Sequence, residues 1–351
     1  MRSGPVRPGF IEHMPKAELH LHLDGVPLGR AAYVSALRTE RDFYDLAMAY
    51  FRKAASQCIR YAEVFFDPQA HTSRGVPFEA VIGGFHRARD DAFAELDVRA
   101  QLIMCFLRDM PAEDAMRTLE ESLPYRDKII GVGLDSDERD NPPIKFKDVF
   151  ERARGEGYRL TMHCDVGQAD SVDHIWQCLD DIGVERVDHG MNCIEDAALA
   201  VRMHDDLIGL TTCPISNRRT ADGLKADELK LMLDYPLKVT VNSDDPAHFG
   251  GNLTENLTAV ADAAHLCQSE VVRLVRNAFE IAWLPAADRD HYLAELAGYA
   301  TQNALPCSRR SAGSPYPPAM APTTRKGSVP PATSAGSGAS GGSLLRSRSH
   351  A

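Results

Sequence analysis

Along most of this chain, short apolar runs of five to seven residues alternate with longer segments whose apolar positions recur at helical spacing. Phe43, Leu46, Ala47, Tyr50 and Phe51 mark a helix over 39–55, and 61–66 then reads as a strand buried on both faces. The same couple repeats. Helices near 78–94, 113–123, 146–155, 171–182, 196–204 and 226–234 precede strands near 98–104, 129–135, 159–163, 186–190, 208–214 and 239–244. Near the N-terminus, Glu18-Leu19-His20-Leu21-His22-Leu23-Asp24-Gly25 alternates strictly, so it reads as one more strand with both histidines on one face. Apolar strands separated by helices predict a parallel sheet covered by helices. Eight such strands are the number that closes a TIM (β/α)8 barrel. The strand-to-helix turns lack a glycine-rich fingerprint, which disfavours a dinucleotide or phosphate-loop fold.

The pattern stops at both ends. Residues 1–14 read as an irregular leader and 15–306 as the barrel. Residues 307–351, rich in Ser, Gly, Pro and Ala, hold no Asp or Glu. Such a tail buries too little apolar surface to offset its ordering entropy and reads as disordered.

Composition narrows the partners. With 351 residues, 44% of them hydrophobic, the chain can bury a large core. A formal charge of -11 argues against nucleic acid or an anionic membrane surface as partner. No apolar run reaches the ~20 residues of a membrane span. The eight cysteines are scattered without CxxC pairs, as expected of reduced thiols in a cytoplasmic protein. Oligomeric state is not written in the sequence.

In a closed barrel, functional side chains gather at the C-terminal strand ends. His20 and His22, Asp135, His163, His189, Asp244 and Asp245 all fall there. Three imidazoles and a carboxylate suit a borderline ion such as Zn²⁺ with a position left open for water. His20, His22, His163 and Asp244 are the candidate ligands. Each has a bland reading: a hydrogen-bonded core histidine, or, for Asp244-Asp245-Pro246, a turn or helix cap. Their conjunction at strand termini favours the metal.

The motifs Met14-Pro15-Lys16-Ala17-Glu18-Leu19-His20-Leu21-His22-Leu23-Asp24-Gly25, Val187-Asp188-His189-Gly190 and Val241-Asn242-Ser243-Asp244-Asp245-Pro246 resemble those of the adenosine/adenine deaminase family. Gly133-Leu134-Asp135-Ser136, Cys213-Pro214-Ile215-Ser216-Asn217 and Phe249-Gly250-Gly251 lean toward its adenine deaminase-like branch. The resemblance spans about 15–284. It implies a zinc-dependent barrel that deaminates a small purine at C6 through metal-activated water. By motif match, His20, His22, His163 and Asp244 would hold Zn²⁺, and His189 would orient the water and stabilise developing charge. Asp245 would bond purine N7, Ser136 would face the opposite ring edge, and Asp24 would lie behind the metal or at the substrate's edge.

Two departures from that pattern stand out. The family's third zinc histidine opens His-Ala-Gly-Glu, whose glutamate is the general acid; here the run is His163-Cys164-Asp165-Val166. Valine transfers no proton, so Asp165, one residue earlier, is the candidate replacement. Helices that the family inserts after the first strand are also missing between Gly25 and Thr39, which leaves the barrel incomplete there. The alternatives are a zinc-binding protein without turnover and a deaminase of another aminated heterocycle.

Overall fold

The computed structural model describes residues 6–7, 9–24, 35–164 and 166–304. Eight strands follow one another in chain order around a single sheet: β1 (Lys16–Glu18), β2 (Ile59–Phe66), β3 (Arg99–Leu107), β4 (Ile129–Asp135), β5 (Arg159–Cys164), β6 (Arg186–His189), β7 (Gly209–Thr212) and β8 (Lys238–Val241). Every pairing between neighbours is parallel. The expected (β/α)8 architecture is the one observed. The shortened stretch after Gly25, Asp165 and the tail from 307 lie outside the described residues.

Local chemistry sets the elements. Helix Glu40–Ser56 begins at Thr39, whose hydroxyl accepts from Asp42 N–H while the Asp42 carboxylate accepts from Thr39 N–H. Its buried stripe Phe43, Ala47, Met48, Phe51 and Ala54 packs on helix Phe78–Leu96. Gly84 permits that approach, because a Cβ there would stand 2.4 Å from Glu40 O. The segment read as one helix over 171–182 divides into an α-helix, Ser171–Trp176, and a π-helical turn, Gln177–Ile182. A helical turn, Phe10–His13, lies within the leader expected to be irregular, and Lys16 Nζ caps its end by donating to Ile11 O and Met14 O. After β8 a short helix, Pro246–Phe249, is followed by three longer ones, Leu253–Ala263, Gln268–Ile281 and Ala286–Gln302, in the outer layer.

The first strand differs from its expected extent. Its ladder ends at Glu18, and both histidines follow it in extended chain. The reason lies in the seam between β8 and β1. Leu19 N–H is taken by the Asn242 side chain at 2.8 Å rather than by a strand backbone. Beyond it, Asp244 N–H donates to His20 O (3.0 Å) and His22 N–H to Asp244 O (2.8 Å). Glu18 accepts from Ser243 Oγ and Tyr50 Oη, tying the seam to helix Glu40–Ser56. Leu19, Leu21 and Leu23 still alternate into the core.

Candidate active site

The seam and the end of β5 bring three imidazoles to one point. His163 Nε2 lies 3.0 Å from His20 Nε2 and 3.1 Å from His22 Nε2. Asp244 Oδ1 stands 3.6 Å from His20 Nε2 and 3.8 Å from His22 Nε2. Among the described residues, His20, His22 and His163 form a group whose ligand atoms lie close enough to share one ion.

The far sides of the rings decide their tautomers. His163 Nδ1 is 3.0 Å from Leu134 O, and His20 Nδ1 is 3.1 Å from Thr211 O. A carbonyl only accepts, so both Nδ1 atoms carry the proton and both Nε2 atoms present lone pairs. Two lone pairs 3.0 Å apart repel unless an electrophile lies between them. Tetrahedral coordination at ~2.0–2.1 Å separates nitrogens by roughly 3.3 Å. The donor set therefore fits a divalent ion.

Charge agrees with that fit. Burial lowers His22 to about 4, against the pull of Asp244, and holds His163 well below the usual imidazole range. Burial alone would raise Asp244, yet the adjoining imidazoles of His20, His189 and His22 pull it well below the carboxylate range. Two neutral imidazoles beside a carboxylate is the protonation state a metal needs.

A cavity of about 570 Å³ opens above these groups. His22, His163, His189, Asp244, Asp245 and Ser136 all line it. His189 Nε2 lies 4.0 Å from Asp244 Oδ2, on a residue held at φ +57°. Asp245 caps the turn after β8, its Oδ1 accepting from His248 N–H at 2.9 Å. Asp24 stands apart. It is fully buried, off the cavity wall, and its Oδ2 accepts from His71 Nε2 at 2.9 Å and Asp67 N–H at 3.3 Å. Asp165 lies outside the described residues, and its neighbour Val166 packs against the hydrophobic core.

The cavity also contains Asp67, which the sequence reading passed over, and Asp135, which it placed at a strand end without a role. Asp67, just past β2, and Asp135, at the end of β4, lie against His22, with Asp135 Oδ2 3.5 Å from His22 Nδ1. Burial pushes Asp135 up to about 7, and burial with the charges of Asp135 and Asp24 pushes Asp67 well above the carboxylate range. Asp67 was legible by the same signal as the others, a polar residue ending an apolar strand. Gln168 in a loop, Ser216 and Arg219 on helix Pro214–Thr220, and His248 on the short helix Pro246–Phe249 also line the cavity, without such a signal.

Comparison with known proteins places this geometry. The adenosine deaminase family profile matches residues 30–299. An uncharacterized deaminase of Schizosaccharomyces pombe is 46% identical over 330 positions, covering 83% of this chain and 97% of its own length. An adenine deaminase of Rhodospirillum rubrum is 44% identical over 331 positions, covering 83% and 98%. A solved adenine deaminase from Arthrobacter aurescens superposes with a TM-score of 0.77 at 34% identity, over 82% of this chain and 99% of that one. An amidohydrolase from Burkholderia ambifaria with bound Zn shares the fold, with a TM-score of 0.76 at 22% identity over 87% and 100%.

The fold is that of a metal-dependent hydrolase barrel, with a His-rich candidate metal site at its strand ends. The chain belongs to the adenosine deaminase family and is a purine deaminase. The family profile match begins after His20 and His22, so their assignment as ligands rests on the geometry. The alignment to the S. pombe relative runs over 330 positions yet holds only 83% of these 351 residues, so that relative carries residues with no counterpart here.

Proposed function

We propose that this chain hydrolytically deaminates a 6-aminopurine, with adenine the lead substrate, Zn²⁺ the metal, and hypoxanthine and ammonia the products. Adenosine, giving inosine, is the second substrate of the same chemistry. The observation that carries the reading is the convergence of three imidazole Nε2 atoms and Asp244 at one point, with His22, His163 and Asp244 lining a cavity of about 570 Å³. The relatives named adenine deaminase support the choice of base.

His20, His22, His163 and Asp244 hold the ion, which when bound supplies Lewis acidity that makes water nucleophilic near neutral pH. His189, on the cavity wall beside Asp244, orients that water, takes its proton and balances charge developing at C6. Asp245 bonds N7 of the ring, and Ser136 faces the opposite edge. Asp24 acts from behind the site, through His71 and the backbone of Asp67. Asp165 protonates the ring in place of the glutamate that Val166 replaces. The water oxygen ends on C6 and the amino group leaves as ammonia, carrying the transferred protons. The described cysteines are all free thiols, and no helix among the described residues is long and apolar enough to cross a membrane; we place the protein in the cytoplasm, acting on a small molecule rather than on nucleic acid.

Ammonia release from adenine, adenosine and N-substituted adenines by the zinc-loaded protein tests the reading. Release from adenine supports it, and release only from an N-substituted ring moves the substrate to another aminated heterocycle. No release from any of them, with stoichiometric zinc bound, overturns it in favour of a zinc-binding protein without turnover, the reading that Val166 favours.

A further inference from the structure

Asp188 lies directly beneath the metal centre, and the chemistry above leaves it without a task. Register places His163, Asp188 and Thr211 side by side on β5, β6 and β7. All three are buried, Asp188 and Thr211 completely. Thr211 Oγ1 donates to Asp188 Oδ1 at 2.7 Å, and Thr161 Oγ1 donates to Asp188 Oδ2 at 2.7 Å. With its proton committed to the carboxylate, the Thr211 hydroxyl turns a lone pair toward His20 Nδ1, 3.0 Å away. The same carboxylate lies 3.7 Å from His163 Nδ1.

We infer that Asp188 is a positioning residue of the metal centre, acting through the Thr211 hydroxyl on His20. The carbonyl of Thr211 already fixes the His20 tautomer. The hydroxyl–carboxylate arm adds negative charge behind the ring and a second point of attachment, which strengthens Nε2 as a donor and fixes the ring's tilt. The competing account is purely structural. Arg186 Nε lies 3.5 Å from Asp188 Oδ1, so the carboxylate could serve only to balance a buried guanidinium that also pairs with Glu63. The two accounts differ in whether Thr211 carries the effect.

The inference rests on the assignment of His20, His22, His163 and Asp244 as ligands, and its test is a double-mutant cycle read as Zn²⁺ affinity by chelator competition. Asp188→Asn and Thr211→Val nearly preserve volume, and Thr161→Val is the control on the other carboxylate oxygen. The expected result is a 10–100-fold loss of affinity in each of the first two. The double variant should lose no more than the weaker-binding single, and Thr161→Val should lose less than either. Unchanged affinity in Thr211→Val, or losses that multiply in the double variant, would overturn the relay and leave Asp188 as the counter-ion of Arg186. Thr211→Val disturbs no charge, so it decides the question even if Asp188→Asn folds poorly. Failure of the unaltered protein to bind Zn²⁺ would instead overturn the ligand assignment itself.

Discussion

Asp244 and His20 are joined twice: Asp244 N–H donates to His20 O at 3.0 Å, and Asp244 Oδ1 stands 3.6 Å from His20 Nε2. The backbone bond closes the barrel seam and the two side chains face the candidate metal position, so an ion bound there would tie the seam together a second time. Zinc should therefore stabilise the fold, by about 2.7 kcal/mol at a free concentration a hundredfold above Kd. Thermal unfolding with and without chelator measures this. His20→Ala should abolish both the zinc-dependent rise in Tm and zinc retention after dialysis. Full retention would contradict the coordination proposed.

His189 touches the cavity but is not among the four candidate ligands, so its loss should separate chemistry from metal binding. Its φ of +57° makes Asn the substitution of choice, since Asn tolerates left-handed backbone better than most residues. His189→Asn should lower kcat for adenine by ~10²–10⁴-fold with zinc content unchanged. A variant that loses zinc in parallel with activity would make His189 a ligand rather than the water-orienting base.

The strands were legible because both their faces are covered: β2 and β3 are almost wholly buried and read as continuous apolar runs. The candidate ligands were legible because each is a polar residue where such a run stops. Sequence periodicity could not show that β1 ends at Glu18, since a side chain, Asn242, takes the ladder position of a strand. Nor could it show the π-helical turn at Gln177–Ile182, which keeps the helical spacing of apolar residues while shifting the hydrogen bonds. Asp24 illustrates the converse. Its place next to the histidines suggested the substrate's edge, yet 67–71 folds over it and takes its carboxylate.

Val166 is partly buried against the core, and an apolar side chain stands where the family carries its acid. If Asp165 supplies the proton instead, Asp165→Asn should cost ~10²–10⁴-fold in kcat while KM and zinc content hold. Steady-state kinetics on adenine with parallel metal analysis makes the comparison. An unchanged rate would show that Asp165 is not the replacement and would direct attention to the cavity's other carboxyl groups.

Asp135 provides a pH test of the cavity's electrostatics. Burial raises it to about 7 in the fold, whereas an unfolded aspartate titrates near ~3.9. Between those values the folded state binds the extra proton, so this group's stabilising contribution is complete below about pH 4 and is lost as pH rises through about 7. His22, lowered to about 4, works in the opposite direction, since its neutral form is favoured by the fold and its contribution is lost as pH falls from ~6.5 toward 4. The two slopes oppose one another in the metal-free protein, and a flat wild-type profile would hide both. Asp135→Asn mimics the protonated carboxyl and removes the first, together with the charge that raises Asp67, a change of the same sign. Metal-free Asp135→Asn should therefore gain Tm over the unaltered protein as pH rises from 5 to 8, with little difference at pH 4. A Tm difference that stays constant from pH 4 to 8 would show that the Asp135 carboxyl titrates alike in the folded and unfolded chains.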